Sequence, residues 1–210
     1  MHVSHPPSPY APTRFFRLLT ERLGTIQDGV VRGDHVLNPE FADHNVSYRD
    51  AAVLVPIVAR EPEATVLLTV RTANLSDHAG QIAFPGGKID RGDDSPSAAA
   101  LREAREEIGL DSSAVDLLGT LPPYLSRTGF RIAPVVAQVS PTHRLTVNPQ
   151  EVDHAFEVPL AFLMDPTNHR RTSRVFWGKR RYFYEMPFEQ HYIWGVTAGI
   201  IRELYEQVFV

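Results

Sequence analysis

The sequence predicts an α/β domain in which a mixed β-sheet is sandwiched between helices. Short β-branched and apolar runs alternate with amphipathic helical segments, and a Gly-Gly turn feeds one strongly patterned helix at residues 96–108. The chain of 210 residues, 43% hydrophobic and 22% charged, suffices for one sizeable core and is too short for two ordinary domains.

Residues 1–12 hold Pro6, Pro7, Pro9 and Pro12 and no apolar signal core, so they are expected as a disordered arm ahead of a single domain over 13–210. A helix is expected at 13–24, with Phe15, Leu18, Leu19 and Leu23 on one face. Strands follow at 51–60 and 64–71, then further strands at 115–121, 131–139 and 154–158. A short helix after Pro159 carries Leu160, Phe162 and Leu163. Residues 175–184 read as a β-hairpin turning at Gly178 and Lys179. Ile193, Thr197, Ile200, Ile201, Leu204 and Val208 recur at helical spacing and predict a C-terminal helix.

The helix at 96–108 carries the chemistry. Pro96 suits a first helical position behind a Ser95 cap, and Gly109 suits the stop. Glu103, Glu106 and Glu107 then stand at i, i+3 and i+4, where like charges repel by about 0.2–0.5 kcal/mol per pair on an isolated helix. Such a cluster calls for a cation, and Mg²⁺ or Mn²⁺, hard ions that take carboxylate and phosphate oxygens, fit best. A merely solvated acidic face is disfavoured because Leu101, Ala104 and Ile108 occupy the core-facing side and a glycine loop precedes the helix. Glu106 and Glu107 are expected to face solvent or ion rather than core. Arg102, one turn before Glu106, is expected to orient that carboxylate.

These residues resemble the Nudix hydrolase signature G-x5-E-x7-R-E-U-x-E-E-x-G-U, with U a bulky aliphatic residue; the box spans 87–110. The second half matches from Arg102 to Leu110, with Ala104 small for its slot. Counting forward from Gly87 places the first acidic position at Asp93, whereas counting back from Arg102 places it at Asp94, so the loop is one residue longer than the consensus. Upstream, Leu67, Leu68, Thr69, Arg71, Gly80, Phe84, Pro85, Gly86 and Gly87 are similar to the motif of the coenzyme A diphosphatase branch, L-L-T-x-R-[S/A]-x3-R-x3-G-x3-F-P-G-G. Thr72 replaces the small residue there, and Ser76 stands in place of the second arginine.

The resemblance implies the Nudix α/β/α sandwich and metal-dependent hydrolysis of the diphosphate of coenzyme A or its thioesters, giving 3′,5′-ADP and 4′-phosphopantetheine. It implies Glu103, Glu106 and Glu107 as metal ligands with a Gly87 carbonyl as a further one. Arg71, Gly80, Phe84, Gly86, Gly87 and Lys88 would bind substrate. The general base is either Glu107 or Glu151, the latter in a loop ahead of a strand. His78 reads as a structural or surface histidine. Hydrolysis of ADP-ribose, NADH or dinucleoside polyphosphates is the alternative within the class; Pro122, Pro123 and Tyr124 miss the spacing that marks those branches. A non-catalytic nucleotide-binding module is the alternative outside it.

The net charge of −4 gives no general attraction to nucleic acid or anionic membranes. The longest apolar run, residues 51–59, is too short to span a membrane and contains a proline. Cysteine is absent, which excludes disulfides and thiolate chemistry and is compatible with a cytoplasmic setting. The aromatic and basic hairpin at 175–184 is read as an alternating strand pair with one buried face in preference to a nucleic-acid surface; it is also a candidate border of the pocket or of a homodimer interface.

Overall fold

The computed structural model describes residues 8–26, 29–41, 47–73, 79–176 and 178–210. Helix α1 (Pro12–Leu23) starts on its proline and buries Phe15, Phe16, Leu19 and Leu23. The expected arm ends sooner than residue 12. Residues 8–11 form a turn, because the Tyr10 carbonyl accepts from Ala64 N and the Tyr10 ring meets Phe209 edge-on; residues 1–7 lie outside the described residues. Two short pieces that have no periodicity to betray them follow, β1 (Arg32–Gly33) and α2 (Asp34–Leu37). Asp34 anchors them by accepting from Tyr124 Oη and Arg127 N, both at 2.8 Å.

Among the described residues the main sheet has nine strands, of which β2 (Arg49–Val58), β3 (Thr65–Arg71), β4 (Ile82–Ala83) and β5 (Gly86–Lys88) follow β1 and lie before the glutamate helix α3 (Pro96–Ile108). After it come β6 (Val115–Thr120), β7 (Tyr124–Ser126), β8 (Phe130–Val139) and β9 (Val152–Pro159), then the short helix α4 (Leu160–Leu163). Strands β2 and β8 run parallel from Arg49 opposite Phe130 to Val58 opposite Val139, while β3, β6 and β9 pair antiparallel to their neighbours. The sheet is therefore mixed and covered on both faces. Alternation of side chains sends Ala52, Leu54, Leu67, Val135 and Ala137 toward α3. It sends Val55, Ile57, Leu68 and Val136 toward α1 and the C-terminal helix α5 (Val196–Phe209). Among the described residues no helix is long and apolar enough to cross a membrane.

The hairpin belongs to a separate three-stranded antiparallel sheet, β10 (Arg170–Phe176), β11 (Lys179–Phe188) and β12 (His191–Trp194). Phe176 pairs with Lys179, so Lys179 belongs to the strand and not, as expected, to the turn. Gly178 supplies its left-handed residue with φ +76°; Trp177 lies outside the described residues. Ile193 is not on the C-terminal helix: it sits on β12 opposite Met186. Gly195, at φ +64°, turns the chain between strand and helix, and the four-residue step from Ile193 to Thr197 only mimics helical spacing.

The loop between α4 and β10 ends on a buried imidazole. His169 is 8% exposed; its Nε2 donates to the Leu163 carbonyl at 2.6 Å, and Arg202 Nη1 stands 3.4 Å from Nδ1. Burial first, and the Arg202 charge second, hold this imidazole below its ordinary pKa, against the pull of the Leu163 carbonyl. Below the unfolded value of about 6.5, the unfolded chain binds the proton more readily, so stability is present above that pH and falls as pH drops through it. Thermal melts of the native chain from pH 7.5 to 5 should therefore show a decline that is visibly shallower in His169→Gln; identical slopes would remove His169 from the acid response.

Candidate active site

Helix α3 is built to hold its glutamates in place. Ser95 Oγ accepts from Ala98 N at 3.1 Å, and Gly109 closes the other end at φ +65°, with Gly109 N donating to the Arg105 carbonyl and Leu110 N to the Ala104 carbonyl. Ala99, Ala100 and Ala104 are fully buried against the sheet, so the small Ala104 is what lets the helix lie close to β2 and β5.

Arg102 is the hub of the site. Its Nε and Nη2 donate to the two oxygens of Asp93 at 3.0 and 2.9 Å, a bidentate fork, while Nη1 donates to Glu103 at 3.0 Å and to Glu106 at 3.1 Å. Nη2 also reaches the Lys88 carbonyl at 3.2 Å. Arg102 thus orients Glu106 and ties down the loop after β5 as well. The fork, aided by the Asp90 amide, holds the Asp93 carboxyl below the usual carboxylate range and raises the guanidinium. Asp93, half-buried, is the aspartate that Arg102 holds, whereas Asp94 is exposed. Counted from Asp93, the extra residue of the box lies before Arg102, where the N-terminus of α3 absorbs it.

Glu107 departs from expectation: its side chain is only 3% exposed. Its Oε2 accepts from Gly86 N at 3.1 Å and its Oε1 lies 3.5 Å from Arg71 Nη1. Burial pushes its carboxyl up to about 7, with Glu103 and Glu151 adding to the rise and Gly86 and Arg71 opposing it. Glu103 is raised too, again by burial first, with Glu106 and Glu151 contributing. Glu106 is 54% exposed. Gly87 abuts Glu103, since a Cβ there would stand 2.4 Å from Oε1. Hard carboxylate oxygens whose charge is penalised by burial and by each other match a divalent ion in chemistry. Among the described residues no three of them converge closely enough to hold one as placed, because Arg102 draws Glu103 and Glu106 to itself. An ion would be held by Glu103, Glu106 and Glu107 once the first two turn from the guanidinium.

The remaining residues divide. Arg71 ends β3, pairs by backbone with Gln81, and leaves its buried Nε without a partner among the described residues. Gly80 makes the turn that returns to it, at φ +69°. Gly86 cannot be replaced, because a Cβ would stand 2.4 Å from the Ala52 carbonyl. Lys88 is exposed on β5. Phe84 needs correction: it is 4% exposed and packed in the core on the α1 and α5 side, so it supports the turn from beneath and offers substrate no surface. Ser76 and His78 lie outside the described residues. Glu151 stands in the loop before β9, its carbonyl accepting from Thr72 N and its carboxylate from Asn148 Nδ2. Asn148 was not foreseen, although Asn-Pro is a known turn opening that marks it.

A glycine turn, a capped glutamate helix and an arginine hub on an α/β/α sandwich define a phosphate-handling hydrolase, and residues 48–179 match the family described as NUDIX domain. The chain belongs to that family, whose members hydrolyse pyrophosphate bonds and generally use divalent metal ions such as Mg²⁺ or Mn²⁺. Its relatives include two proteins called "Uncharacterized Nudix hydrolase NudL", from Escherichia coli O7:K1 (strain IAI39 / ExPEC) and Escherichia coli (strain K12). Each is 42% identical over 175 residues, covering 83% of this chain and 91% of the relative. The crystal structure of DR0079 from Deinococcus radiodurans shares the fold, with a TM-score of 0.50 at 15% identity over 79% of this chain and 89% of that one.

The unequal placement of the two loop aspartates gives a direct check. Asp93→Asn should release Arg102, lower Tm and cut metal-dependent turnover by about tenfold or more, while Asp94→Asn should leave both unchanged. Equal behaviour of the two variants in melting and rate assays would refute this assignment.

Proposed function

We propose that the chain hydrolyses the diphosphate of coenzyme A or its thioesters to 3′,5′-ADP and 4′-phosphopantetheine or its acyl derivative. The observation that carries this reading is Arg71: a guanidinium at the end of β3, within the motif from Leu67 to Gly87, beside Glu107 and with a buried Nε lacking a partner among the described residues. A substrate phosphate beside it gains a charge-assisted contact. Glu103, Glu106 and Glu107 hold Mg²⁺ or Mn²⁺, which when bound supplies charge neutralisation on the diphosphate and a more acidic water for in-line attack. Glu151 faces that cluster and takes the proton of the attacking water. Arg102 keeps Glu106 and the Asp93 loop in register, and Gly86 with Gly87 lets backbone and substrate approach without obstruction. We place the reaction in the cytoplasm, in keeping with a chain that carries no cysteine.

Replacing Glu106 or Glu107 by Gln should lower kcat by about a hundredfold or more, since several kcal/mol of transition-state stabilisation goes with the ion. Rates within a few-fold of wild type in both variants at saturating Mg²⁺ would remove the metal-site reading.

Turnover of a panel of coenzyme A, acetyl-coenzyme A, ADP-ribose, NADH and a diadenosine polyphosphate tests the substrate. Coenzyme A should show the higher kcat/KM against ADP-ribose. Arg71→Ala should cost roughly ten- to a hundredfold on it, the worth of one charged hydrogen bond of about 1.5–3 kcal/mol. A preference for ADP-ribose that Arg71→Ala does not alter would leave only a Nudix diphosphatase of another substrate.

A further inference from the structure

The segment before β9 is strapped to the end of the glutamate helix. Helices leave their last carbonyls without intrahelical donors; here Asn148 N donates to the Glu107 carbonyl and Thr146 N to the Ile108 carbonyl, both at 2.8 Å. The Asn148 side chain then does two further things. Its Oδ1 accepts from Gln150 N at 3.1 Å, and its Nδ2 donates to Glu151 Oε1 at 3.2 Å. Its own carbonyl accepts from Glu151 N and Val152 N. Glu151 is held from the other side by Thr72 N, the residue after Arg71, on the Glu151 carbonyl at 3.0 Å.

We propose that Asn148 is a positioning residue: it locks the turn at 148–151 onto the C-terminal end of α3 and aims the Glu151 carboxylate at the ion-holding cluster of Glu103 and Glu107. The proposal rests on the reading of Glu151 as a member of that site. The turn carrying Glu151 is bonded on one side to the Glu107 carbonyl, through Asn148 N, and on the other to the residue after Arg71, through Thr72 N, which sets it beside the Arg71 and Glu107 pair. With an amide donor on one oxygen, Glu151 keeps its other oxygen for ion or water. Because Asn148 also holds the Glu107 carbonyl, one residue sets the distance between a helix-borne and a loop-borne carboxylate. Groups that orient ligands in this way typically matter by ten- to a hundredfold in metal affinity.

Asn148→Ser separates the two tasks of the side chain. A serine hydroxyl still accepts from the amide two residues on, although more weakly, and cannot reach Glu151. Titrating the intact chain with Mn²⁺ and following free ion by electron paramagnetic resonance should show about tenfold weaker binding in Asn148→Ser. Turnover should fall in kcat, with KM for coenzyme A changed by less than about threefold and Tm held within a few degrees. In a Glu151→Gln background, Asn148→Ser should add nothing beyond about a factor of two, because it acts through that carboxylate. Mn²⁺ affinity unchanged in Asn148→Ser while Glu151→Gln weakens it would overturn the proposal alone. An inert Glu151→Gln would instead remove Glu151 from the site, and the proposal with it, leaving the Glu106 and Glu107 variants to judge the metal site. Should Asn148→Ser fail to fold, Asn148→Thr keeps a hydroxyl at the same point and is read by the same outcomes.

Discussion

Everything at this site follows from concentrating negative charge on one end of one helix. Asp93, Glu103, Glu106, Glu107 and Glu151 gather around α3, answered among the described residues chiefly by Arg102 and Arg71. The two compensations are unequal. Arg102 makes four short contacts with three carboxylates, whereas Arg71 lies 3.5 Å from Glu107. Burial therefore wins at Glu107: a carboxyl at about 7 against an ordinary value near 4.3 carries a penalty on its ionised form of about 3–4 kcal/mol. A fold selected only for stability would place an apolar side chain there. On the proposed function an ion would complete the charge at Glu107, with Arg102 serving Glu103 and Glu106 as a counter-cation without it.

The same economy governs the second sheet, where cations and rings are matched within the chain. Arg174 lies over Phe183, Tyr192 and Trp194 at 5.3–5.7 Å and donates to Tyr192 Oη, and Tyr192 in turn donates to Glu185. Arg181 lies over Phe176 and Arg171 over Tyr182. The opposite face buries Met186 and Ile193 against the domain. A strand that reads as rings and arginines for a single-stranded partner thus uses both in its own packing, one face inward and one face paired.

What was legible in the sequence was whatever local chemistry decides. The bounds of α3 were visible because a proline, a serine cap and a left-handed glycine are local signals, and the mixed sheet because its strands are apolar runs between turns. Long-range facts were not. Nothing in the spacing of Glu107 says that Gly86, 21 residues away, donates to it and closes it from water. Phe84 resembles a motif residue in the one-dimensional string, and only the sheet shows its ring turned into the core. The choice between Asp93 and Asp94 was open by one residue until the fork of Arg102 named its partner. Ile193 was misplaced because a four-residue interval fits a helix as well as a strand followed by a glycine turn.

The depth of Glu107 has its cause in the two unlike faces of the main sheet. Toward α1 and α5 the core is filled by large side chains, Phe15, Phe16, Phe84 and Tyr124 among them. Toward α3 small residues stand among the branched ones: Ala52 and Ala137 on the strands and Ala99, Ala100 and Ala104 on the helix are buried with Leu54, Leu67 and Val135. Small residues on both sides let helix and sheet approach closely. The approach sets Glu103 against Gly87 and brings Glu107 within hydrogen-bond reach of Gly86 N; a Cβ at Gly87 would push on the Glu103 carboxylate, and a Cβ at Gly86 would meet the Ala52 carbonyl of β2. The signature glycines, the buried alanines and the raised glutamates are thus one arrangement. Enlarging Ala104 toward the bulkier residue of the consensus would overpack a fully buried contact between helix and sheet, so the exception in the motif belongs to the close packing on this side.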